Sequence, residues 1–573
     1  MPRSSDERAL ASALAELTDA QLVVVLDARQ LPAAGSWDDF FDLADTLLDD
    51  AAVTRTLAAL TRAELHDLHA AGTSPLPTTA SPRLRELALL DADGAPLSSV
   101  AAKAAEATDA APFSLTDAPP PSDALATGTA AEQAMTSAAA LADLVVWSSS
   151  NPLARTATGV VTATERKRLI EAGAITDAAE LDDLVALGAT AGLLTAVDRE
   201  WLATPDGAEW LELGTVDRWR RVAEAFARAL PRGIRSPDGG YAASTVWPGA
   251  YPRDTAWPAA AASLVSQATR WGLIAADGSE PAWAAPLRAG APADVAALAQ
   301  HLAPEIDRVY VQADLSVIAP GTLVPSVELR LRAMAHRETR AQASTYRFSA
   351  ETLRAAVAAG ETADSLRAFI AGISLTGIPQ PLDYLIDEAA DRRTVARVGI
   401  DPVSGHTVVS ADDPQMLATI AVDQAVRPVG LVRDGDRLVS RVSRDAVFWT
   451  LVDARYSAAA IDAGGDVERL RRRTASPAPV AAVPPTERYA PLIARLRAAH
   501  SENADAAWLE RELEQAVKTR ATIEVAVELP GGDLRSFTIE ATGLGGGRLR
   551  GRDRAVDVER TLPVSSIRSA RPV

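Results

Sequence analysis

The amino-acid sequence predicts a multi-domain α+β protein. The chain has 573 residues, of which 48% are hydrophobic and 23% charged, and it is too long for a single hydrophobic core. Segments in which apolar residues recur at helical spacing are mixed with segments that alternate as strands do. Stretches rich in Pro and Ala at residues 108–140 and 471–486 interrupt both patterns and are predicted linkers.

Residues 1–107 are predicted to form a winged-helix-like domain. Leucines recur at helical spacing over residues 10–26, 40–48 and 53–70, and Asp93-Gly94 provides a turn signal after them. Three helices closed by a hairpin make a winged helix.

Residues 141–235 show a similar order, with a capping box at residues 162–165, a second helix over residues 177–191 and a hairpin within residues 192–207. The second helix carries Glu180, Asp182 and Asp183, whereas reading bases in the major groove calls for Arg, Lys, Asn or Gln. This unit is therefore at least as well suited to protein contact as to DNA. Residues 236–305 are predicted to be helical or winged-helix-like.

Three consecutive basic residues precede that acidic helix. Arg166, Lys167 and Arg168 lie on the first helix of residues 141–235 and are candidate phosphate contacts. The alternative is that they form the solvated face of a helix.

The central residues 306–400 predict an α/β domain. A strand at residues 345–348 leads into Ser349, which can cap a helix, Gly360 ends that helix, and Pro381 suits the start of a third. This order, with Leu353, Ala356 and Val357 on one helical face, resembles the N-terminal domain of the XPB family of helicases. The resemblance covers about a sixth of the chain and implies a setting of DNA or partner subunits.

The helicase motor itself is not predicted. A P-loop ATPase needs Gly-x-x-x-x-Gly-Lys-Ser/Thr, because the backbone amides hold the phosphates while the Lys reaches the terminal oxygens. The three lysines are Lys103, Lys167 and Lys518, and none of them follows a glycine. Nor does the sequence contain a Gly-x-Ser-x-Gly elbow, a His-Glu-x-x-His motif or a cysteine. We therefore expect a protein that is not an enzyme and needs no cofactor or metal.

The C-terminal part is predicted to be a small α/β subdomain at residues 401–470 and, at residues 487–573, a helix followed by an SH3-like β-barrel. Short strands punctuated by Pro530-Gly-Gly and by the glycines of residues 543–547 favour such a barrel. The segment resembles the WYL domain of bacterial regulators, which ends in an Arg-x-Leu/Phe-x-x-x-x-Ile strand, here Arg560 to Ile567. Arg548-Leu549-Arg550 stands where that family has its Trp-Tyr-Leu signature.

Two arginine groups near the C-terminus are further candidates for binding nucleic acid. Alternate residues of a strand share one face, so Arg548, Arg550, Arg552 and Arg554 would form a basic stripe with ~6.6 Å between neighbours, close to the phosphate spacing of a strand. The alternative is that Asp553, Asp557 and Glu559 pair with them and that the charges only prevent aggregation. The second group, Arg471, Arg472 and Arg473, stands beside the 471–486 linker and is either a phosphate clamp or a charged helix end.

The overall charge restricts any contact with DNA to local surfaces. The net charge is −19, and attraction to nucleic acid depends on phosphate neutralisation. Acidic residues concentrate at the front, with 21 Asp and Glu against 8 Lys and Arg in residues 1–140, while residues 542–573 have 3 against 7. Without a signal segment or an apolar span of membrane length, the cytoplasm is the expected location and no membrane partner is expected.

Three functional hypotheses follow. The first is a non-catalytic bacterial protein of DNA repair or transcription that binds DNA locally or docks onto a separate helicase, repair or transcription protein. The second is a WYL-type transcriptional regulator that senses a ligand. The third is a divergent helicase-family protein, which the missing Gly-Lys disfavours mechanistically.

Overall fold

A computed structural model of the chain describes residues 2–74, 81–91, 93–105, 118–171, 174–175, 178–339, 343–390, 395–454, 456–462, 464–465, 467–468, 483–500, 504–529 and 533–572. These residues form a mixed α/β protein, and the chain divides into two compact units. The first unit takes residues 1–114, 246–259 and 479–573, and the second takes residues 115–245 and 260–478. Mixed helices and sheets are thus confirmed, while the detailed domain layout stays a prediction.

The N-terminal domain, by which we mean residues 2–105, is helical. Its helices are α1 (Pro2–Glu16), α2 (Asp19–Ala28), α3 (Phe40–Leu48), α4 (Asp50–Ala58), α5 (Arg62–Thr73), α6 (Pro82–Glu86) and α7 (Ser98–Ala105). They enclose a core of leucines that includes Leu22, Leu26, Leu43 and Leu57. The hairpin predicted to close a winged helix is reduced, in the described part of this domain, to an antiparallel bridge between Leu90 and Pro96.

The prediction of three helices in this domain is wrong, because helix caps divide the predicted helices. Thr18 and Thr61 each form a capping box, with Gln21 and Glu64 respectively. In a capping box the threonine side chain accepts a hydrogen bond from a backbone amide in the first turn of the helix. The Gln or Glu side chain in turn accepts a hydrogen bond from the backbone amide of the threonine. A new helix therefore begins at each threonine.

The next segment contains helices α8 (Ala124–Ser150), α9 (Ala163–Glu171), α10 (Ala178–Thr190), α11 (Pro205–Glu212) and α12 (Thr215–Ala229), with strands β1 (Leu153–Ala154), β2 (Leu194–Val197) and β3 (Glu200–Ala203). The strands form one antiparallel sheet in the order β1-β3-β2. Helix α8 starts inside the predicted 108–140 linker, so that linker prediction is wrong from residue 124 onward. Asp123 caps the helix by accepting from the Ala126 amide, and its alanines are good helix formers.

Residues 236–305 add helices α13 (Trp257–Arg270), α14 (Ala285–Arg288) and α15 (Val295–Ala299), together with a 3-10 helix at Ser244–Gly249. The structure describes this whole range and places no β-strand in it. The range is also divided, since residues 246–259 belong to the first unit. Residues 236–305 thus contain helices and no wing strand, and their assignment as a helical or winged-helix-like domain stays a prediction.

The central segment builds a four-stranded antiparallel sheet and a group of helices. Its elements are β4 (Tyr310–Val311), β5 (Ser316–Ala319), α16 (Pro325–Arg332), β6 (His336–Thr339), β7 (Ser344–Arg347), α17 (Ala350–Ala358), α18 (Ala363–Ile373) and α19 (Gln380–Ala390). The sheet order is β4-β5-β7-β6. The predicted strand followed by three helices is confirmed, and Ser349 caps α17 by accepting from the Thr352 amide at 3.1 Å.

A five-stranded mixed sheet follows. Its elements are β8 (Ala396–Ile400), β9 (Thr407–Ser410), α20 (Pro414–Val422), β10 (Val432–Asp434), β11 (Arg437–Ser440), α21 (Arg444–Asp453) and β12 (Ala458–Ala460). The strand order is β10-β11-β9-β8-β12, with β12 parallel to β8. Since β8 belongs to this sheet, the predicted boundary at residue 400 lies one strand too late.

The C-terminal segment has helices α22 (Pro485–His500) and α23 (Ala504–Thr519), then β13 (Thr522–Glu528), β14 (Leu534–Gly545), β15 (Arg548–Asp553), β16 (Val558–Pro563) and β17 (Ile567–Pro572). The strands form one antiparallel sheet, the C-terminal sheet, in the order β16-β15-β14-β13-β17. Strands β16 and β17 are its edges, and no ladder joins them among the described residues. The predicted SH3-like barrel is thus not closed, because its five strands form an open sheet.

The two helices of the C-terminal segment belong to different cores. The apolar residues Tyr489, Leu492, Ile493 and Leu496 of α22 belong to the core of the N-terminal domain, whereas α23 contributes Leu509 and Leu513 to the core of the C-terminal sheet. The predicted domain of residues 487–573 thus starts with a helix whose apolar face lies in another core. No helix among the described residues combines the length and apolarity that a membrane crossing requires.

Candidate nucleic-acid interface

Strand β15 presents arginines on one face of the C-terminal sheet. Arg548, Arg550 and Arg552 are exposed, while Leu549, Gly551 and Asp553 between them are buried. This alternation follows from the pleat of a strand, in which successive side chains point to opposite faces. The predicted shared face is therefore present for these three arginines. Arg554 lies beyond the end of the strand, in a turn.

Two of the four predicted arginines are paired with carboxylates. Arg552 Nε lies 2.6 Å from Asp557 Oδ1, and Arg554 Nη2 lies 2.9 Å from Glu540 Oε2. The hydrogen bond to Asp557 raises the pKa of Arg552 above its ordinary value. Glu540 and Glu559 are also the cross-strand neighbours of Arg552. At this end of the stripe the positive charge is neutralised, as the alternative interpretation predicted.

The other end of the stripe has a different environment. Among the described residues, neither the Arg548 nor the Arg550 side chain has an ion-pair partner. Their cross-strand neighbours on β16 are Pro563 and Thr561, which carry no charge. These two guanidinium groups therefore keep their full charge toward solvent.

Glycines flank the same two arginines on the other side. Gly545 is opposite Arg548, and Gly543 is opposite Arg550. A Cβ placed at either glycine would meet no atom within 4 Å, so the surface beside the arginines is open. The bulge between Ala541 and Gly543 shifts the register just before this stretch, and bulges are a common way to redirect side chains at a functional surface. From the sequence alone, these glycines indicate only a break between strands.

The exposed surface formed by Arg548, Arg550, Gly543, Gly545 and Thr561 is called the open basic patch below. The Cα atoms of alternate residues in a strand, such as those of Arg548 and Arg550, are ~6.6 Å apart. Guanidinium groups bind phosphate oxygens through two parallel N–H donors. The patch is therefore suited to two successive phosphates of a nucleic-acid strand, with the glycines leaving room for the chain.

The basic residues of α9 are engaged within the protein. Arg166 donates to the Val161 carbonyl at 2.9 Å, to the Ala178 carbonyl at 3.1 Å and to Asp182 Oδ1 at 2.6 Å. It therefore joins the start of α9 to α10 and is not free to bind phosphate.

The two residues that follow Arg166 also have acidic partners on α9. Lys167 is 3.7 Å from Glu171, and Arg168 is 2.8 Å from Glu165. The Lys167–Glu171 pair is exposed and therefore weak, whereas Arg168 pairs with a buried carboxylate, since Glu165 is 8% exposed. The helix-face alternative describes Lys167 and Arg168 better than the phosphate hypothesis does.

Two of the three carboxylate side chains of the acidic helix α10 lie in the protein interior. Glu180 and Asp183 are buried, and Asp183 Oδ2 accepts from Ser266 at 2.7 Å and from Arg270 at 2.9 Å. These contacts hold α10 against α13. The inward carboxylates agree with the expectation that α10 does not read DNA bases.

Arg471, Arg472 and Arg473 lie outside the described residues. In the part of the chain that the structure describes, no group of three or more His, Asp or Glu side chains is arranged to hold a metal ion. The candidate interface therefore consists of the open basic patch.

Comparison with known proteins places part of the chain in a helicase context. No curated protein matches the chain. Residues 309–434, which run from β4 to the end of β10, match the family described as the helicase conserved C-terminal domain. Residues 309–434, which include the central segment and most of the mixed sheet after it, are thus similar to a helicase C-terminal domain.

Proposed function

We propose that this protein is a non-catalytic, helicase-associated protein of DNA repair or transcription that binds a nucleic-acid strand through the open basic patch. The single observation that carries the proposal is the pair Arg548 and Arg550, exposed on one face of β15 without a charged partner among the described residues. The similarity of residues 309–434 to a helicase C-terminal domain supports a nucleic-acid context.

The non-catalytic part of the proposal rests on the sequence. None of the three lysines follows a glycine, so no Walker A loop can hold the phosphates of a nucleotide. A role beside a separate motor protein accounts for a helicase-like segment in a chain that lacks this loop. Docking onto such a partner would use surfaces other than the open basic patch.

The proposal also assigns three parts of the chain to known domain types. The strand and three helices of residues 344–390 support an XPB-N-like domain. The strand order β16-β15-β14-β13-β17 and the short 3-10 helix at Val564–Ser566 support a WYL-like, SH3-like C-terminal module. The order helix, strand, two helices and hairpin from α8 to β3 supports a winged helix.

The test is fluorescence anisotropy of labelled single-stranded, duplex and forked DNA titrated with the intact chain at two salt concentrations. The variant Arg548→Ala/Arg550→Ala should bind the single strand at least about tenfold more weakly. The slope of log affinity against log salt should fall by roughly 0.7 for each phosphate that is no longer neutralised by an arginine.

The matched control is Arg552→Ala/Arg554→Ala, which removes the same charge from the same sheet but from arginines that already have carboxylate partners. Its affinity should fall clearly less than that of the first variant. An equal decrease in the two variants, or no binding to any substrate at low salt, would contradict the proposal.

A further inference from the structure

Helix α22 contributes to a domain from which it is far removed in sequence. Tyr489 Oη donates to the Leu31 carbonyl at 2.8 Å across 458 residues of chain. Tyr489, Leu492, Ile493 and Leu496 are between 0% and 3% exposed and complete the leucine core of the N-terminal domain. The remaining described positions of α22 are exposed or half-buried.

These four residues have the spacing of a helix bound in a groove. They stand at positions i, i+3, i+4 and i+7, so one stripe of the helix is buried and the rest faces solvent. Proteins that bind separate amphipathic helices read this same set of anchors.

The groove is the surface of the N-terminal domain that α22 covers, and its polar groups bind two arginines of the helix. Arg497 donates to the carbonyls of Ala15 and Leu17 and lies 3.2 Å from Asp19 Oδ1. Arg495 donates to the Trp37 carbonyl at 3.2 Å and to that of Gly35.

The carbonyls that Arg497 binds lie at the carboxyl end of α1. Carbonyls at this end of a helix have no partner within the helix, and the helix dipole favours cations there. Arg497 satisfies carbonyls that the helix itself leaves unpaired.

Charge complementarity extends this pattern. Arg488 forms an ion pair with Asp27 near the end of α2. Asp19 and Asp27 belong to a stretch with a large excess of acidic residues, since residues 1–140 carry 21 Asp and Glu against 8 Lys and Arg. The groove therefore combines an apolar floor with an acidic and carbonyl-lined rim, which suits a basic amphipathic helix.

We propose that the N-terminal domain is a helix-docking module and that α22 is its ligand within this chain. The C-terminal sheet, which starts only a helix beyond residues 501–503, is thereby held by a reversible helix-in-groove contact as well as by the covalent chain. This inference concerns a surface separate from the open basic patch and does not rest on DNA binding.

Peptide exchange in the full chain tests the proposal directly. Protease sites are inserted within residues 471–480 and 501–503, the purified protein is cut at both, and a fluorescent peptide of residues 483–500 is added. The labelled peptide should replace α22 while the circular dichroism of the protein stays unchanged. If the peptide is not taken up, or is taken up only with a decrease in helical signal, α22 is an ordinary core helix and the proposal is wrong.

Variant peptides test the recognition that the contacts imply. The Arg497→Ala peptide should compete at least about tenfold more weakly, because it leaves the Ala15 and Leu17 carbonyls without their donor. The matched Glu487→Ala peptide changes an exposed position of the same helix and should compete like the wild type. Equal competition by the two peptides would show that the groove does not recognise Arg497, which contradicts the proposal.

Hydrogen exchange in the uncut wild-type chain gives a second measurement that depends on no variant. The amides of α22 should exchange together through an opening that leaves those of α2 and α3 protected, as expected of a unit with its own local stability. Exchange of α22 only together with α2 and α3 would show that the helix cannot leave the groove without unfolding the domain, and would overturn the proposal.

Discussion

Asp143 of α8 forms a buried ion pair with Arg337 of β6, and the same carboxylate accepts from Arg332 of α16 at 2.6 Å. The Asp143 side chain is 2% exposed. Burial lowers the pKa of Arg337, but the carboxylates of Asp143 and Glu328 outweigh this and raise it overall. One buried carboxylate thus joins the long helix α8 to the segment that resembles a helicase C-terminal domain.

Removing this carboxylate should destabilise the second unit strongly. Asp143→Asn keeps the volume of the side chain but leaves two mostly buried arginines short of a counter-charge. Breaking a buried pair from one side costs roughly 3–5 kcal/mol. Urea unfolding followed by the fluorescence of the buried residues Trp219 and Trp271 measures the change in the free energy of unfolding.

The control for Asp143→Asn is Glu171→Ala in the same unit. It removes a pair in which Lys167 and Glu171 are 77% and 64% exposed and 3.7 Å apart. Exposed pairs contribute about 0–1 kcal/mol, so this variant should unfold almost as the wild type does. Similar midpoints for the two variants would show that burial of the Asp143 pair has no energetic consequence.

Features set by neighbouring residues could be predicted from the sequence. Residues 40–48 were predicted as a helix and form α3, and the arginines of β15 alternate with buried residues as expected. The capping boxes at Thr18 and Thr61 also have a local signature, Thr-x-x-Gln or Thr-x-x-Glu. Applying that rule at these positions would have divided the N-terminal helices correctly.

Features set by distant residues could not be predicted in the same way. The apolar stripe of α22 shows that one face is buried but does not say against which core, and its partner Leu31 is 458 residues away. The difference between Arg550 and Arg552 likewise depends on the register of β14, which places Gly543 beside one and Glu540 beside the other. Such pairings follow from topology and not from a local pattern.

Arg166 should prove to be structural. Its three hydrogen bonds join the start of α9 to α10, so Arg166→Ala should destabilise the second unit by roughly 1–3 kcal/mol and leave DNA affinity unchanged. Lys167→Ala, on the same helix, should change stability by less than about 0.5 kcal/mol. Thermal unfolding and anisotropy measure the two effects, and a decrease in DNA affinity in a folded Arg166→Ala protein would restore the phosphate-contact hypothesis.

Gly551 permits the close approach of β14 and β15. A Cβ at this position would lie 2.2 Å from Ile539 Cγ2 and 2.5 Å from the Glu540 carbonyl oxygen. Gly551→Ala should therefore destabilise the C-terminal sheet by roughly 1–3 kcal/mol through overpacking, measured by hydrogen exchange over residues 548–563. Gly543→Ala on the neighbouring strand meets no atom within 4 Å and should be tolerated. Equal hydrogen-exchange protection of residues 548–563 in the two variants would show that β14 and β15 can move apart without loss of stability.

Asp553 should make the C-terminal sheet sensitive to acid. The hydrogen bond from Arg560, 2.6 Å away, and then that from the Ala555 amide lower the pKa of Asp553. A lowered folded pKa stabilises the sheet above the unfolded value of about 3.9, and this contribution disappears as pH falls through the folded value. Asp553→Asn should therefore reduce protection of residues 548–563 at neutral pH, with the gap to wild type closing below about pH 4. If the difference in protection between wild type and Asp553→Asn does not change with pH, ionisation of Asp553 is not its cause.

Asp557 should restrain the DNA affinity of the open basic patch. The Asp557 carboxylate binds the Arg552 guanidinium through two contacts, 2.6 Å from Nε to Oδ1 and 2.8 Å from Nη2 to Oδ2. In Asp557→Ala the Arg552 guanidinium loses its bidentate partner and keeps only the cross-strand neighbours Glu540 and Glu559. Single-stranded DNA should therefore bind more tightly, and the salt slope should steepen by at most roughly 0.7. Glu510→Ala on α23 makes the same change in net charge at an exposed position of the helix and should have a smaller effect. An equal increase in both variants would attribute the affinity to overall charge, whereas an increase confined to Asp557→Ala would place the phosphate path along β15.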